Sequence, residues 1–211
     1  MDEPYADLPV MLTVKGRRCL VVGAGGVGVR RAKLLADAGA HVAMVAPQVH
    51  PSARVLGVQI YERGFMPEDV DGMLLVVAAT SDQSVNQSVS DVARERGVLV
   101  NRTDQASAGN LTFMTSHRDG PLTIAVQTGG ASASAATRIR DLLTESLDPV
   151  WAPLLSLALP ARQRIQASVS DPAKRTALLR RLTDNTAIEA LKAGGESGLK
   201  ALYDDIMKDL A

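Results

Sequence analysis

Aromatic side chains are scarce in this 211-residue chain: two Phe, three Tyr and one Trp amount to 3% of it. Its core must therefore be built from Val, Leu, Ala, Ile and Met, which the 46% hydrophobic content supplies amply. Cysteine is nearly absent. Cys19 alone cannot close an internal disulfide, which excludes a disulfide-stapled scaffold and fits a reducing, cytoplasmic setting. Lying within an apolar run, it reads as a small core residue rather than a reactive thiol. Neither sign of charge is in excess: 23 Lys and Arg balance 23 Asp and Glu, so no global field points to nucleic acid. No apolar run is long enough to span a bilayer, and Met1-Asp2-Glu3-Pro4 lacks the basic and apolar regions of a signal peptide. A membrane partner is not expected. The histidines, His41, His50 and His117, show no metal-ligand spacing, so no bound metal is expected either.

What is present begins with Leu20 to Gly28, Leu-Val-Val-Gly-Ala-Gly-Gly-Val-Gly. An apolar run ends in Gly23-x-Gly25-x-x-Gly28, and a helix-like segment follows at once. A dinucleotide's pyrophosphate requires this order. Gly23 permits the tight strand-to-helix turn, Gly25 lets backbone N–H groups approach the phosphates, and Gly28 lets the helix pack closely on the sheet. The helix's positive dipole end then faces the anion. The competing reading is a plain strand-to-helix turn; the strand before and helix after favour nucleotide binding.

The remaining pattern is strand, helix, strand. Leu8–Val14 reads as a short strand and Arg18–Val22 as the main one. The helix after the glycines carries Val27, Leu34, Leu35 and Ala38 on one face and ends at Gly39. His41–Ala46, closed by Pro47, is a second strand, and Val58–Tyr61 a third. Met73–Ala79 is almost wholly apolar, as for a strand covered on both faces. A helix from Gln83 to Arg96 and a strand Val98–Asn101 follow. This alternation predicts an α/β fold with a doubly wound parallel sheet. Near residue 110 the pattern changes: Leu111–Thr115 and Leu122–Gln127 should pair as an antiparallel hairpin. A helix from Ser132 to Leu147 follows Gly129-Gly130. Beyond Asp148-Pro149 the chain reads as helical to its end, with breaks at Pro160, at Ser170-Asp171-Pro172 and at Gly194-Gly195. The expected parts are therefore 1–110, a nucleotide-binding Rossmann-like domain; 111–148, a hairpin and helix; and 149–211, a helical C-terminal domain.

Three places carry residues suited to chemistry. Thr80-Ser81-Asp82 lies at the carboxyl end of the most apolar strand, where ligands of doubly wound sheets sit; the same residues also suit a helix N-cap. Asp104 follows Asn101-Arg102-Thr103 after the last strand, where catalytic groups of this architecture face a cofactor, though a loop aspartate is more often a solvated cap. Thr128-Gly129-Gly130-Ala131-Ser132 forms a second potential cradle of N–H groups, or else a flexible link with Ser132 as N-cap. No Tyr-x-x-x-Lys occurs at Tyr5, Tyr61 or Tyr203, which argues against the short-chain dehydrogenase arrangement.

Four segments, 20–28, Ala-Ala-Thr-Ser-Asp (78–82) with Val85-Asn86, Val100-Asn101-Arg102-Thr103-Asp104, and Gly129-Gly130-Ala131-Ser132, together resemble the precorrin-2 dehydrogenase/sirohydrochlorin ferrochelatase family. The resemblance covers nearly the whole chain and weakens after Leu147. It implies NAD-dependent oxidation of precorrin-2 to sirohydrochlorin, in siroheme synthesis. In members with a second activity, ferrous iron is then inserted as a substrate. It also implies a homodimer formed through the hairpin and the following helices. Asp104 occupies the position of the family's essential aspartate, as a general base for the proton that must leave with the hydride. The resemblance puts Gly26, Val27, Pro47 and Gln48 at nucleotide-contacting positions, beside Gly23, Gly25, Gly28, Thr80 and Ser81, which the glycine motif and the strand end already suggest. Thr128 sits where related sequences carry a serine near the tetrapyrrole, and Asn101, Arg102, Gly129, Gly130 and Ser132 are expected around the same substrate; by position only, Arg102, Arg118, Arg138 and Arg140 are candidate partners for its carboxylates. Asp104→Ala is expected to abolish oxidation and leave the protein folded. Ala46-Pro47-Gln48 stands where an acidic ribose-binding residue is usual, so NAD rather than NADP is implied by the resemblance alone. Ala133 replaces a proline common in the second glycine motif. The competing functions are a small keto- or hydroxy-acid dehydrogenase, which needs a well-placed His or Lys, and a nucleotide-sensing regulatory module, which needs an output surface. Lys174, Arg175, Arg180 and Arg181 are too mixed with acids to form a recognition helix.

Overall fold

The computed structural model describes residues 7–208; the Met1–Pro4 stretch, Tyr5 and the end of the expected C-terminal helix at 209–211 lie outside the described residues. The chain divides into two compact units, Met1–Phe113 and Met114–Ala211.

In the first unit, β1 (Arg18–Ala24), β2 (His41–Val49), β3 (Gln59–Tyr61), β4 (Leu75–Ala78) and β5 (Leu99–Arg102) form one sheet in the order β3-β2-β1-β4-β5. Every pairing is parallel. Three helices connect the strands: α1 (Gly26–Asp37), α2 (Pro51–Arg54) and α3 (Gln83–Glu95). The strands are apolar on both sides because both sides are covered. Cys19 and Val21 face the cluster that includes Ala32 and Leu35 of α1, whereas Leu20 and Val22 face the one that includes Val89 and Ala93 of α3. Burial raises the pKa of the Cys19 thiol, as befits a core residue. The order reverses between β1 and β4, which opens a crevice beyond their carboxyl ends.

Tertiary context changes several local expectations. Leu8–Val14 forms no strand: Leu8 and Met11 are exposed, and β1 already has β2 and β4 on its two sides. Pro47 does not close β2, which runs on to Val49. The ladder to β1 slips at this point, and the pairing Ala24↔Val49 resumes beyond it. Since β3 pairs only with Ala43, Met44 and Val45, no neighbour on that side needs the N–H that proline lacks. On α1 the buried residues are Gly28, Val29, Ala32 and Leu35; Val27 and Leu34 are exposed instead. Gly39 takes φ +84° after the helix, as expected for its C-terminal position.

The second unit begins with a hairpin, β6 (Thr115–Asp119) and β7 (Leu122–Val126), antiparallel with Asp119 opposite Leu122. The first hairpin strand is therefore Thr-Ser-His-Arg-Asp rather than Leu111–Thr115. Leu111 and Phe113 are withdrawn from it because they pack on the core of the first unit, where the Arg31 guanidinium lies 4.6 Å from the Phe113 ring centre. The helices are α4 (Ala133–Ser146), α5 (Trp151–Ser168), α6 (Pro172–Arg181) and α7 (Asn185–Lys208). α5 passes straight through Pro160, held by a continuous buried face of Leu154, Ala158, Ala161 and Ile165. α6 starts where Asp171-Pro172 predicts, with the Asp171 carboxylate accepting from the Ala173 N–H. α7 breaks at Gly195 (φ 59°, ψ −155°). Tyr203 anchors its far half by donating to the Leu182 carbonyl at 2.7 Å, and burial pushes its phenol up to about 12.

Candidate nucleotide site and the carboxylate beside it

The crevice follows from the glycine turn. Gly23 adopts φ +106°, and a Cβ there would lie 2.4 Å from the Ala79 carbonyl oxygen. A Cβ on Gly28 would lie 2.0 Å from the Gly23 carbonyl oxygen. Both positions therefore exclude any side chain. Gly25 differs: a Cβ would meet nothing within 4 Å, because the residue faces open space. Gly25 is the N-cap of α1, yet no side chain caps that helix and no acidic residue occupies its first turn. Its first N–H groups and the positive end of its dipole thus border the crevice uncompensated, an arrangement that suits an anion.

The cleft has a volume of about 860 Å³, within the range of small-molecule sites. Of the residues predicted to meet the nucleotide, Gly23, Gly25, Gly26, Val27, Pro47, Gln48, Thr80 and Ser81 all line it. Gly28 does not; it serves the packing of helix on strand. Gly64 and Phe65, from the segment after β3, also line the cleft. The sequence reading missed them because nothing in their local pattern marks the loop after a short edge strand.

Thr80 is fixed by a buried neighbour. The Asn86 Oδ1 accepts from the Thr80 backbone N–H at 3.1 Å and from its hydroxyl at 2.8 Å, while Asn86 Nδ2 donates to the Thr80 carbonyl at 3.1 Å. Asn86 is fully buried on α3. A polar residue on the inner face of an amphipathic helix was the available signal for it. Asp82 caps α3, accepting from the Ser84 and Val85 N–H groups, and these bonds with the Ser84 hydroxyl hold its carboxyl below the usual range. Ser81 is free of that duty.

Asp104 follows β5, whose Ala78↔Arg102 pairing with β4 brings it to the same end of the sheet as Thr80. Its carboxylate is gripped side-on by Arg102: Nε donates to Oδ1 at 3.1 Å and Nη2 to Oδ2 at 2.7 Å. Arg102 is 3% exposed, and its remaining nitrogen Nη1 donates to Gln87 Oε1 at 2.6 Å. The guanidinium therefore acts on Asp104 rather than standing open for a ligand. The Arg102 hydrogen bonds hold the Asp104 carboxyl down at about 2, against the opposing effect of desolvation; a bond from Asn86 adds to the lowering. Asn101 points inward and donates to the Leu111 carbonyl at 2.9 Å, leaving its buried Oδ1 without a partner among the described residues. Among the described residues, no group of three or more His, Cys, Asp or Glu converges to hold a metal ion, and no helix is long and apolar enough to cross a membrane.

The second glycine motif lies in the second unit. Gly129 and Gly130 take φ 62° and 81°. Thr128 Oγ1 donates to the Ser132 carbonyl at 3.0 Å and accepts from the Ser132 N–H at 3.2 Å. Ser132 Oγ accepts from the Ala135 N–H at 3.1 Å, so α4 is capped by its own sequence. Arg140 is occupied by Thr115 and Asp141.

Residues 10–115 match a protein family described as "Putative NAD(P)-binding". The chain is 34% identical to a siroheme synthase of Pseudomonas aeruginosa over 202 residues, 94% of this chain and 43% of that protein. A siroheme synthase of Thioalkalivibrio sulfidiphilus is 32% identical over 204 residues, 95% of this chain and 42% of its own length. The chain thus spans less than half of these curated relatives. A solved structure titled "SirC, precorrin-2 dehydrogenase" is 26% identical, with a TM-score of 0.76 over 96% of this chain and 100% of that one. The fold is thereby that of a parallel Rossmann-like sheet followed by a small antiparallel sheet and helices. With half of its length matched, and with the open glycine turn that such a family needs, the chain belongs to this NAD(P)-binding family.

Proposed function

We propose that the protein oxidises precorrin-2 to sirohydrochlorin, with NAD as hydride acceptor, as a step in siroheme synthesis. The observation that carries this reading is the match to a precorrin-2 dehydrogenase along essentially its whole length. The site chemistry supports it. NAD fits the crevice because Gly25 is open and α1 uncapped: the first-turn N–H groups would hold the pyrophosphate, with Pro47, Gln48, Thr80 and Ser81 around the rest. Bound there, NAD supplies a two-electron acceptor. The chain's own residues do the rest. Asn86 fixes Thr80 at the mouth of the cleft, and Asp104 presents an ionised carboxylate at the same end of the sheet. We assign the catalytic role to Asp104, and substrate contacts to Thr128, Gly129, Gly130 and Ser132; Arg102 and Asn101, both buried and bonded within the first unit, are not assigned direct contact. In this scheme Arg102 contributes through Asp104. Arg118 and Arg138 are the cations proposed for the substrate's carboxylates.

The protein acts as a homodimer in this reading, through the hairpin and α4, whose Ile139, Leu142 and Leu143 leave 42, 56 and 47% of their surfaces exposed. A cytoplasmic setting agrees with the buried, unpaired Cys19. Incubation with precorrin-2 and NAD should produce NADH together with the absorption spectrum of sirohydrochlorin. An unchanged spectrum would refute the reading and favour a keto-acid dehydrogenase or a nucleotide sensor. Following ferrous iron insertion into sirohydrochlorin in the same preparation decides whether a chelatase step accompanies oxidation. Sedimentation of the full chain measures the dimer.

A further inference from the structure

Asp104 is held by a chain of side chains within the first unit. On the β5 side, the Arg102 guanidinium engages both carboxylate oxygens, and Gln87 Oε1 fixes the guanidinium in turn at 2.6 Å. Gln87 is itself oriented by donating to Asp91 Oδ1 at 2.8 Å. The charged groups facing this assembly are Arg102 from β5 and Asp91 from α3, the latter acting on Arg102.

A carboxylate clamped by a buried guanidinium is a poor keeper of protons, because the opposite charge favours its ionised form by about 1–3 pKa units. It is well suited to a different task. A pre-oriented, partly desolvated anion stabilises positive charge or polarised N–H and C–H groups in a transition state without reorganising. We propose that Arg102, backed by Gln87, is a positioning residue that fixes Asp104 as a permanent anion beside the cleft. Asp104 then acts on the substrate as charge and hydrogen-bond acceptor rather than as the final proton acceptor. In the oxidation, one C–H bond breaks with its electron pair going to NAD as hydride. A second hydrogen leaves the macrocycle as a proton and goes to water. The catalytic half of this inference rests on the function proposed above; the positioning half rests on the geometry alone.

Two readouts separate those halves. Carboxyl carbon NMR of the ligand-free full chain, with the Asp104 signal assigned by its loss in Asp104→Asn, should show no titration above about pH 3 in the wild type. In Arg102→Met the signal should titrate about one pH unit higher or more. An Asp104 that titrates near or above its ordinary value in the wild type overturns the positioning role. In the NADH assay, the wild-type kcat should show no acid limb above about pH 5. Arg102→Met should lose about tenfold or more in kcat, gain an acid limb, and keep KM within about threefold. Arg102→Lys, retaining the charge but not the fork, should recover part of kcat without the acid limb. A folded Arg102→Met with the wild-type kcat and profile overturns the proposal. Should Arg102→Met fail to fold, Gln87→Leu replaces it: an upward shift of the Asp104 titration supports the clamp, and an unmoved titration and kcat overturn it. Absence of NADH formation in the wild type, with the titration as expected, overturns the catalytic half and the proposed function while supporting the clamp.

Discussion

The two glycine turns of this protein look alike in sequence and are opposites in structure. Before α1, Gly23 and Gly28 are imposed by contact: a Cβ at either would collide with backbone at 2.4 or 2.0 Å. The helix that follows is left uncapped. Before α4, a Cβ on Gly130 would meet nothing within 4 Å, so its positive φ alone calls for glycine. That helix is closed by Ser132. Close packing with an open helix end makes an anion cradle. An open turn with a closed helix end leaves N–H groups that are already partly used.

The largest effect expected from breaking this contrast is at Gly28. Gly28→Ala should cost about 3 kcal/mol in urea unfolding, against about 1–2 kcal/mol for Gly130→Ala, where only the left-handed backbone is penalised. Equal losses would erase the distinction. Next comes the carboxylate. Asp104→Ala removes the partner of a guanidinium that is 3% exposed, so it should lower stability by about 2–3 kcal/mol as well as abolish turnover. The bare expectation of an unperturbed fold therefore needs a control: Arg102→Met with Asp104→Ala should restore stability but not activity.

The same pair gives a pH signature. The Asp104 carboxyl lies lower in the folded state, moving from the ordinary 3.8 to about 2. Its contribution, about 2 kcal/mol, is complete above the unfolded value and is lost as pH falls through about 2. Unfolding measured from about pH 5 to pH 2 should show that loss in the wild type and not in the double variant.

Gly25→Ser sharpens the comparison by making the first turn resemble the second. The φ of −79° and the open space accept a side chain, and its hydroxyl should cap α1. Stability should change by only a few tenths of a kcal/mol while the Kd for NAD rises about tenfold, measured by calorimetry. An unchanged Kd would remove the uncapped helix end from the binding site. The smallest effect is at Ser132, where Ser132→Ala should cost about 1 kcal/mol with no change in NAD affinity.

The parallel sheet was readable because its strands are apolar runs separated by glycine and proline signals, and the nucleotide cleft because its glycines precede a helix. Where the reading failed, a distant partner was responsible. Leu111 and Phe113 have the composition of strand residues, but the core of the first unit competes for them and wins, shifting the hairpin to Thr115. Pro47 stays within β2 because the neighbour that would need its N–H ends early. α5 continues through Pro160 because its buried face outweighs one missing backbone bond. Gln87 carries no signal of its role, since an exposed amide acquires one only from the groups brought against it.

By itself the sequence determined the five parallel strands and the main helices, where the chain turns tightly, and that a helix begins at an open glycine. Those features are set within a few residues by sterics and by the period of apolar side chains. Tertiary structure alone decided that Asp104 is an ion-paired anion, that Arg102 is spent on it, and that Asn86 fixes Thr80. Charge state and orientation depend on groups that only folding brings within 3 Å or so of one another, where Coulomb attraction and desolvation act together.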